Sequence, residues 1–150
     1  MQARMDNPVQ IIPDAMKALI AFGDTARGQG VPESTLELIK LRASQVNGCS
    51  ACVHMHARDM RKAGENDERL FTVVAWRETT FFTDAERVAL ELTEALTRIA
   101  DTANPVSDDL WNRVRAHYDE NGAAALLIAI ANINVWNRLN AGVHQIAGTF

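Results

Sequence analysis

Two cysteines separated by two residues, with a histidine four residues further on, form the most chemically informative stretch of the sequence. They are Cys49, Cys52 and His56. On a helix, residues three and four apart are neighbours, so these three side chains would share one face. His54 would lie about 200° around the helix from Cys52 and is not expected to take part. The spacing therefore predicts a pair of thiols with one imidazole within reach.

A lowered thiol pKa is the property that this position favours. Asn47 and Gly48 end a helical pattern just before Cys49, which places this cysteine near the N-terminus of the next helix. Free N–H groups and the positive end of the helix dipole stabilise a thiolate there. Because the thiolate is the reactive form of cysteine, the pair predicts redox chemistry in which Cys49 and Cys52 alternate between dithiol and disulfide.

A carboxylate in the preceding helix can reach the histidine. If the two helices form an antiparallel hairpin about residues 47–48, Glu37 lies about 15 Å along one arm and His56 about 12 Å along the other. The two side chains could then meet. A carboxylate that binds one imidazole nitrogen leaves the other free to take a proton from Cys52, which is the usual arrangement of nucleophile, base and orienting group. Glu37, His56, Cys52 and Cys49 are therefore the candidate catalytic residues.

Three other interpretations of the cysteine pair are possible. The cysteines could be two small buried core residues. They could bind zinc together with His56, although the sequence has no second Cys/His cluster to complete a closed site. Covalent haem attachment requires a histidine directly after the second cysteine, where this sequence has Val53. Redox chemistry of the thiols themselves is the favoured hypothesis, and no cofactor or metal is predicted.

The elements that must position these residues are all helical. Apolar residues recur at intervals of three and four along the chain, whereas alternating patterns typical of strands are nearly absent. The pattern predicts an all-α, single-domain bundle of six or seven helices spanning residues 1–150. Thr83 and Glu86 form a capping box, and the helix that follows carries apolar residues at core spacing as far as Ile99. The predicted helices cover approximately residues 13–28, 33–46, 49–64, 68–76, 83–99, 107–118 and 123–140.

The last helix begins with a run that is apolar on every side. Residues 123–131 read AAALLIAIA, after a predicted helix stop at Asn121 and Gly122. A helix of this kind must be buried all round, and a chain of 150 residues offers few places to do so. The run therefore predicts a subunit interface.

Composition excludes several classes of function. The 15 Lys and Arg residues are outnumbered by 19 Asp and Glu residues and are scattered, so no nucleic-acid partner is expected. No stretch approaches the 18 or more apolar residues of a membrane span, and residues 1–12 lack the apolar run of a signal peptide. We therefore expect a cytoplasmic protein without a membrane partner, in which two nearby cysteines indicate catalysis rather than a structural staple.

The motif resembles the signature of the AhpD-like alkylhydroperoxidases in the carboxymuconolactone decarboxylase superfamily. Glu37 is followed by eleven residues and then by Cys49-x-x-Cys52-x-x-x-His56. Three further segments resemble family segments in the same order: residues 38–42 (LIKLR), 82–87 (FTDAER) and 134–138 (NVWNR). One position departs from the pattern, because the founding peroxidases carry a histidine where this sequence has Ala51.

The resemblance implies a thiol-dependent hydroperoxide reductase built as an all-helical trimer or hexamer. It implies that Cys52 is the peroxidatic thiol and that Cys49, the more exposed of the two, closes the disulfide and meets a dithiol reductant such as a lipoyl protein or a thioredoxin-like protein. Trp136, Asn137 and Arg138 could serve the active site or an interface, or could be ordinary packing with a salt bridge.

Three alternatives to peroxidase function stay open. They are a general thiol-disulfide oxidoreductase, a redox sensor or scaffold, and a lactone decarboxylase like the namesake of the superfamily, whose chemistry does not depend on a cysteine pair.

Overall fold

The computed structural model describes residues 1–149, and its regular secondary structure is entirely helical, which confirms the predicted all-α class. Within these residues there are eight α-helices and two short 3₁₀ segments, Val73–Glu78 and Ile99–Asp101, and there is no β-strand. The α-helices are α1 (Pro8–Ile11), α2 (Pro13–Asp24), α3 (Glu33–Val46), α4 (Ser50–Lys62), α5 (Asp67–Thr72), α6 (Asp84–Thr97), α7 (Asp108–His117) and α8 (Glu120–Val143).

Helix α3 lies at the centre of the bundle and packs against α4, α6 and α8. Leu36 and Ile39 face one apolar cluster with α6, α7 and α8, and Leu38 and Leu41 face a second cluster with α4, α5 and the first 3₁₀ segment. All four leucine and isoleucine side chains are at most 1% exposed. Because α3 is buried on both of these sides, its orientation relative to α4 and α8 is fixed by the core.

Local signals in the sequence explain most helix ends. Thr83 and Glu86 form the predicted capping box at the start of α6, with both reciprocal hydrogen bonds present. Arg61 and Lys62 lie in the last turn of α4, where the helix dipole favours cations. Ile99, which was predicted to continue the buried stripe of α6, is 56% exposed because the helix ends at Thr97 and the chain turns into a 3₁₀ segment.

The predicted helix stop at Asn121 and Gly122 is wrong. Helix α7 ends earlier, because Tyr118 adopts an extended conformation. The side chain of Asp119 then accepts a hydrogen bond from the backbone N–H of Gly122 at 2.7 Å and caps α8. An aspartate at the N-cap therefore outweighs the Asn-Gly signal, and both residues lie in the first turn of the long last helix.

Helix α8 is long and apolar enough to cross a membrane by length and composition alone, but 56% of its most apolar window is buried against the rest of the fold. This is the pattern of a core helix. One face stays open, however: Leu127 is 37% exposed and Val135 is 39% exposed. The run at residues 123–131 is therefore not buried on every side within the protomer.

Candidate redox active site

The turn between α3 and α4 brings the two cysteines together. Gly48 adopts a positive φ of 66°, which a glycine accepts without steric cost. Cys49 then caps α4, and its Sγ accepts a hydrogen bond from the backbone N–H of Cys52 at 3.3 Å. Cys49 and Cys52 form a disulfide with Cα atoms 5.4 Å apart. The predicted position of the cysteine pair at the start of a helix is confirmed.

Asparagine side chains from α8 hold this turn. The Asn47 amide donates to Asn134 Oδ1 at 3.0 Å and to Asn137 Oδ1 at 2.8 Å. Asn137 Nδ2 in turn donates to Ser44 Oγ at 3.1 Å, and the backbone N–H of Cys49 donates to the Ser44 carbonyl. The bond between Asn137 and Ser44 is buried, and Asn137 itself is only 1% exposed, whereas Asn47 lies at the surface. Satisfied polar groups in a buried position contribute most to rigidity.

Glu37 and His56 are in contact across the α3–α4 hairpin, as their spacing predicts. Glu37 Oε2 lies 2.9 Å from His56 Nδ1. A carboxylate can only accept, so Nδ1 carries the proton and Nε2 is available as a base. His56 Nε2 is buried and has no hydrogen-bond partner among the described residues. This atom is therefore free to exchange a proton with a group that enters the site.

The charge on Glu37 is strongly stabilised. Burial alone would raise its pKa, but the hydrogen bond from His56 and the nearby positive charge of Lys40 outweigh this effect and lower the pKa from 4.5 to about 2. Lys40 Nζ donates to the other carboxylate oxygen at 2.7 Å. Glu37 is thus an anion at any pH near neutrality, and the orientation of the imidazole is fixed accordingly.

A cavity of about 330 Å³ opens beside Cys52 and His56. Cys52 lines it and Cys49 does not. Lys40, Asn132 and Asn140 contribute polar groups to its wall. The apolar part of the wall comes from the N-terminal segment (residues 1–11, which includes α1) and from α2, α4 and α8. Its side chains include Val9, Met16, Ile20, Met55, Ile133 and Trp136. A site of this kind accommodates a small organic molecule whose polar end faces the sulfur.

Both thiols are buried in the protomer, so the structure does not test the expectation that Cys49 is the more exposed one. Cys49 is 3% exposed and Cys52 is 1% exposed. As the N-cap, Cys49 turns its side chain back over the first turn of α4, where it packs with Ala51 and Cys52. Exposure within the protomer therefore does not distinguish the two thiols, whereas access from the cavity does.

The other residues singled out in the sequence have separate positions. Trp136 lines the cavity, and Asn137 supports the turn. Arg138 Nη1 donates to the backbone carbonyl of Asn134 at 2.9 Å instead of forming the salt bridge considered above. His54 is exposed, in agreement with its predicted absence from the site. Ala51 is fully buried.

Sequence reasoning missed the asparagines. Asn7, Asn47 and Asn140 were not predicted to belong to the site, although Asn140 Nδ2 donates to Cys52 Sγ at 3.1 Å. A signal was available, because α8 carries asparagines at residues 132, 134, 137 and 140 within an otherwise apolar helix. Buried amides require partners, so their presence indicates a polar region packed against that helix.

The zinc interpretation requires several ligand side chains that converge on one point. No group of three or more His, Cys, Asp or Glu side chains converges as possible metal ligands within residues 1–149.

Comparison with known proteins agrees with this arrangement. Residues 13–95, more than half of the chain, match the sequence profile of the carboxymuconolactone decarboxylase family. The chain belongs to the carboxymuconolactone decarboxylase family. The matched region contains Glu37, both cysteines and His56. The candidate site thus lies inside the part of the chain that defines membership of the carboxymuconolactone decarboxylase family.

Individual relatives confirm the resemblance to AhpD-like proteins. The chain is 40% identical over 140 residues to the uncharacterized protein YdfG of Bacillus subtilis, covering 93% of this chain and 94% of YdfG. It is 37% identical over 68 residues to the alkyl hydroperoxide reductase AhpD of Bradyrhizobium diazoefficiens, covering 45% of this chain and 36% of that protein.

A crystal structure confirms the AhpD-like fold of this carboxymuconolactone decarboxylase family member. The protein ATU0492 of Agrobacterium tumefaciens is of unknown function and is described as a candidate antioxidant defence protein AhpD. It superimposes with a TM-score of 0.90 at 32% identity, covering 99% of this chain and 100% of its own.

Proposed function

We propose that this protein is a thiol-dependent reductase of organic hydroperoxides. One observation carries the proposal: Cys52, disulfide-bonded to Cys49, lines an apolar cavity together with His56, whose other ring nitrogen is held by Glu37. A thiol, a base with a free nitrogen and an orienting carboxylate form the arrangement that activates a nucleophile. The similarity to AhpD supports the choice of a peroxide as the substrate.

The first step consumes the peroxide. In the reduced protein, His56 Nε2 takes the proton of Cys52, directly or through water, and the thiolate attacks the terminal oxygen of the hydroperoxide. A sulfur–oxygen bond forms while the oxygen–oxygen bond breaks, and the departing alkoxide takes the proton from His56 to become an alcohol. Cys52 is left as a sulfenic acid.

The second step closes the disulfide. Cys49 attacks the Cys52 sulfur, and the hydroxyl group leaves as water with the proton of Cys49. The balance is one hydroperoxide and two thiols converted to one alcohol, one water and one disulfide. An external dithiol, of the lipoyl or thioredoxin-like class, must then return both electrons. Because both cysteines are buried in the protomer, this dithiol must approach Cys52 through the cavity or find Cys49 after a local opening of the turn.

Assembly and location remain proposals. No residue of α2 is buried, and α2 exposes Ile20 and Phe22 while the neighbouring α8 exposes Leu127 and Val135. Exposed apolar patches are typical of subunit contacts. We propose a homotrimer or homohexamer in the cytoplasm, where a reducing environment keeps the dithiol available.

The decisive experiment measures peroxide consumption by the reduced protein. With an alkyl hydroperoxide and a lipoyl or thioredoxin reducing system, we expect turnover that is lost in Cys52→Ser, whereas Ser50→Ala, a change in the same turn, keeps it. Rapid disulfide exchange without peroxide consumption would instead identify a general thiol-disulfide oxidoreductase. Disulfide formation without any turnover would identify a redox sensor.

A decarboxylase is tested by blocking the thiols. If lactone decarboxylation is detected and survives alkylation of both cysteines, the chemistry does not pass through sulfur and the peroxidase proposal fails.

A further inference from the structure

The buried amide of Asn140 makes direct contact with the sulfur that we assign as the nucleophile. Asn140 Nδ2 donates to Cys52 Sγ at 3.1 Å, and the two residues are 7% and 1% exposed. Asn140 lies in the last turn of α8, far from Cys52 in sequence. Among residues 1–149, no other side chain donates a hydrogen bond to this sulfur.

The direction of this hydrogen bond is fixed by a chain of partners. A backbone N–H can only donate, and that of Val9 donates to Asn7 Oδ1 at 3.2 Å. Asn7 Nδ2 must therefore face Asn140, and it donates to Asn140 Oδ1 at 2.6 Å. With its oxygen occupied in this way, Asn140 can only present its NH₂ group to Cys52. A flipped amide would place NH₂ against NH₂ and an oxygen against the sulfur.

The N-terminal segment is itself attached to the end of α8. The backbone N–H of Arg4 donates to the Val143 carbonyl at 2.9 Å, and Arg4 Nη1 donates to the Gly142 carbonyl at 3.0 Å. The bond from the Val9 N–H to Asn7 Oδ1 is also the N-cap of α1, so the start of this helix orients the Asn7 side chain. Asn7 is therefore placed by contacts that do not involve the cysteines.

An N–H donor distinguishes between the states of a sulfur atom. Hydrogen bonds to an ionised acceptor are shorter and about twice as strong as those to a neutral one, so the amide favours a thiolate over a thiol or a disulfide sulfur. The titratable side chains at the cavity are Lys40 of α3 and His56 of α4, both bound to Glu37, while the N-terminal segment and α8 contribute uncharged amides. The amide is thus a source of thiolate stabilisation independent of the Glu37–His56 pair.

We propose that Asn140 is a catalytic residue that stabilises the Cys52 thiolate, and that Asn7 is a positioning residue that fixes the direction of its amide. The proposal rests on the proposed function only in taking Cys52 as the attacking thiol. Its test requires no peroxide. If replacing Asn140 raises the Cys52 thiol pKa but the protein does not reduce hydroperoxides, this inference stands and only the proposed function is overturned.

The test titrates a single thiol. In the reduced full-length protein carrying Cys49→Ser, the thiolate of Cys52 is followed against pH by its ultraviolet absorbance and by its rate of alkylation. Asn140→Leu should raise the Cys52 thiol pKa by about one unit, as the loss of a hydrogen bond to a charged group implies. Asn121→Leu, which removes an exposed asparagine in the first turn of α8 and does not touch the cavity, should leave it unchanged.

Asn7 is tested through Asn140. Asn7→Ser keeps an oxygen that can cap α1 but removes the donor to Asn140, and it should cause a smaller rise in the Cys52 pKa. In a protein that already carries Asn140→Leu, the same change should add nothing, because Asn7 acts only through the amide. A persistent effect of Asn7→Ser in that background, or no shift from Asn140→Leu, would overturn the proposal.

A second variant tests the same hydrogen bond without placing an apolar leucine at residue 140. Asn140→Asp is nearly isosteric and replaces the donor by a carboxylate, so it should raise the Cys52 thiol pKa further than Asn140→Leu. In the protein with both cysteines, either variant should shift the equilibrium with glutathione towards the disulfide by about tenfold, equivalent to about 30 mV for a two-electron couple. An unchanged equilibrium in both folded variants would contradict the assignment.

Discussion

The carboxylate of Glu37 lies 2.9 Å from the imidazole of His56, although the two residues are nineteen positions apart in the chain. The α3–α4 hairpin creates this contact, because each residue lies two to three turns from the same glycine-containing bend. Lys40 binds the opposite carboxylate oxygen and holds the group from the other side. The pair therefore holds one nitrogen of the imidazole and leaves Nε2 free beside the cavity that Cys52 also lines.

The two thiols should behave differently towards one equivalent of peroxide. Cys52 faces the cavity and lies one turn before His56, so Cys52→Ser should abolish peroxide reduction. Cys49→Ser should still allow one oxidation and stop at a sulfenic acid on Cys52, because only the resolving thiol is lost. A dimedone-type reagent traps the sulfenic acid, and mass spectrometry then shows which cysteine carries it in each variant. A sulfenic acid trapped on Cys49 in the Cys52→Ser protein would reverse the two roles.

Glu37 should make the stability of the fold sensitive to acid. Its pKa is about 2 in the folded protein and 4.5 as the ordinary value, so the unfolded chain binds the proton first. The stabilisation is complete above pH ~4.5 and is lost as the pH falls towards ~2, with a total of about 3 kcal/mol. Glu37→Gln should remove this contribution. Chemical denaturation at a series of pH values measures the difference from the unaltered protein.

The matched control for this change is Glu33→Gln. Glu33 lies one helical turn earlier on α3 and pairs with Arg27 at the surface. Its replacement should leave the acid profile nearly unchanged. Glu37→Gln should also lower the rate of peroxide reduction about a hundredfold, the usual scale of general acid–base assistance. If both variants give the same acid profile, the contact with His56 and Lys40 does not stabilise the fold.

Glu94 should be a major structural carboxylate. It accepts hydrogen bonds from Arg42 at 2.7 Å, Trp76 at 2.9 Å and Arg77 at 2.7 Å, and its side chain is 9% exposed. Glu94→Ala leaves the guanidinium of Arg42 buried without its partner, which should cost about 3 kcal/mol. Thermal unfolding should show a Tm about 10 °C lower. Asp14→Ala, which removes an exposed ion pair with Lys17, is the control and should change little.

The open face of α8 should mediate assembly. Leu127→Arg and Val135→Arg introduce charge into this face and should reduce the molecular mass measured by light scattering. Phe71→Arg changes a more exposed apolar residue on α5 and should leave the mass unchanged. A stable monomer of the unaltered protein at micromolar concentration would remove the proposed trimer or hexamer.

Local sequence patterns predicted most of the helices and the four candidate catalytic residues. This was possible because helix caps, the cysteine spacing and the geometry of the hairpin each involve residues only a few helical turns apart. The capping box of α6 and the contact between Glu37 and His56 both follow from such short-range rules. The burial of Cys49 could not be predicted in this way. It depends on the packing of α8 and Ala51 against the turn, and periodicity does not contain that information.

The asparagine partners illustrate the same limit more clearly. Asn7 and Asn140 are 133 residues apart and meet only because the N-terminal segment lies across the end of α8. The asparagines within the otherwise apolar helix α8 indicated a polar region, but nothing in the sequence shows which amide contacts which. The link from Asn7 to Cys52 could therefore be found only in three dimensions.

One helix, α8, carries at three-residue intervals the amides that contact the turn and the sulfur: Asn134 and Asn137 bind Asn47, and Asn140 binds Cys52. Inserting or deleting one residue between these positions would rotate the next amide by about 100° and displace it by about 1.5 Å. At least one contact would be lost. Length differences among related sequences should consequently fall in the loops around α7 and not within the last two turns of α8, a constraint that alignments of such sequences can reveal.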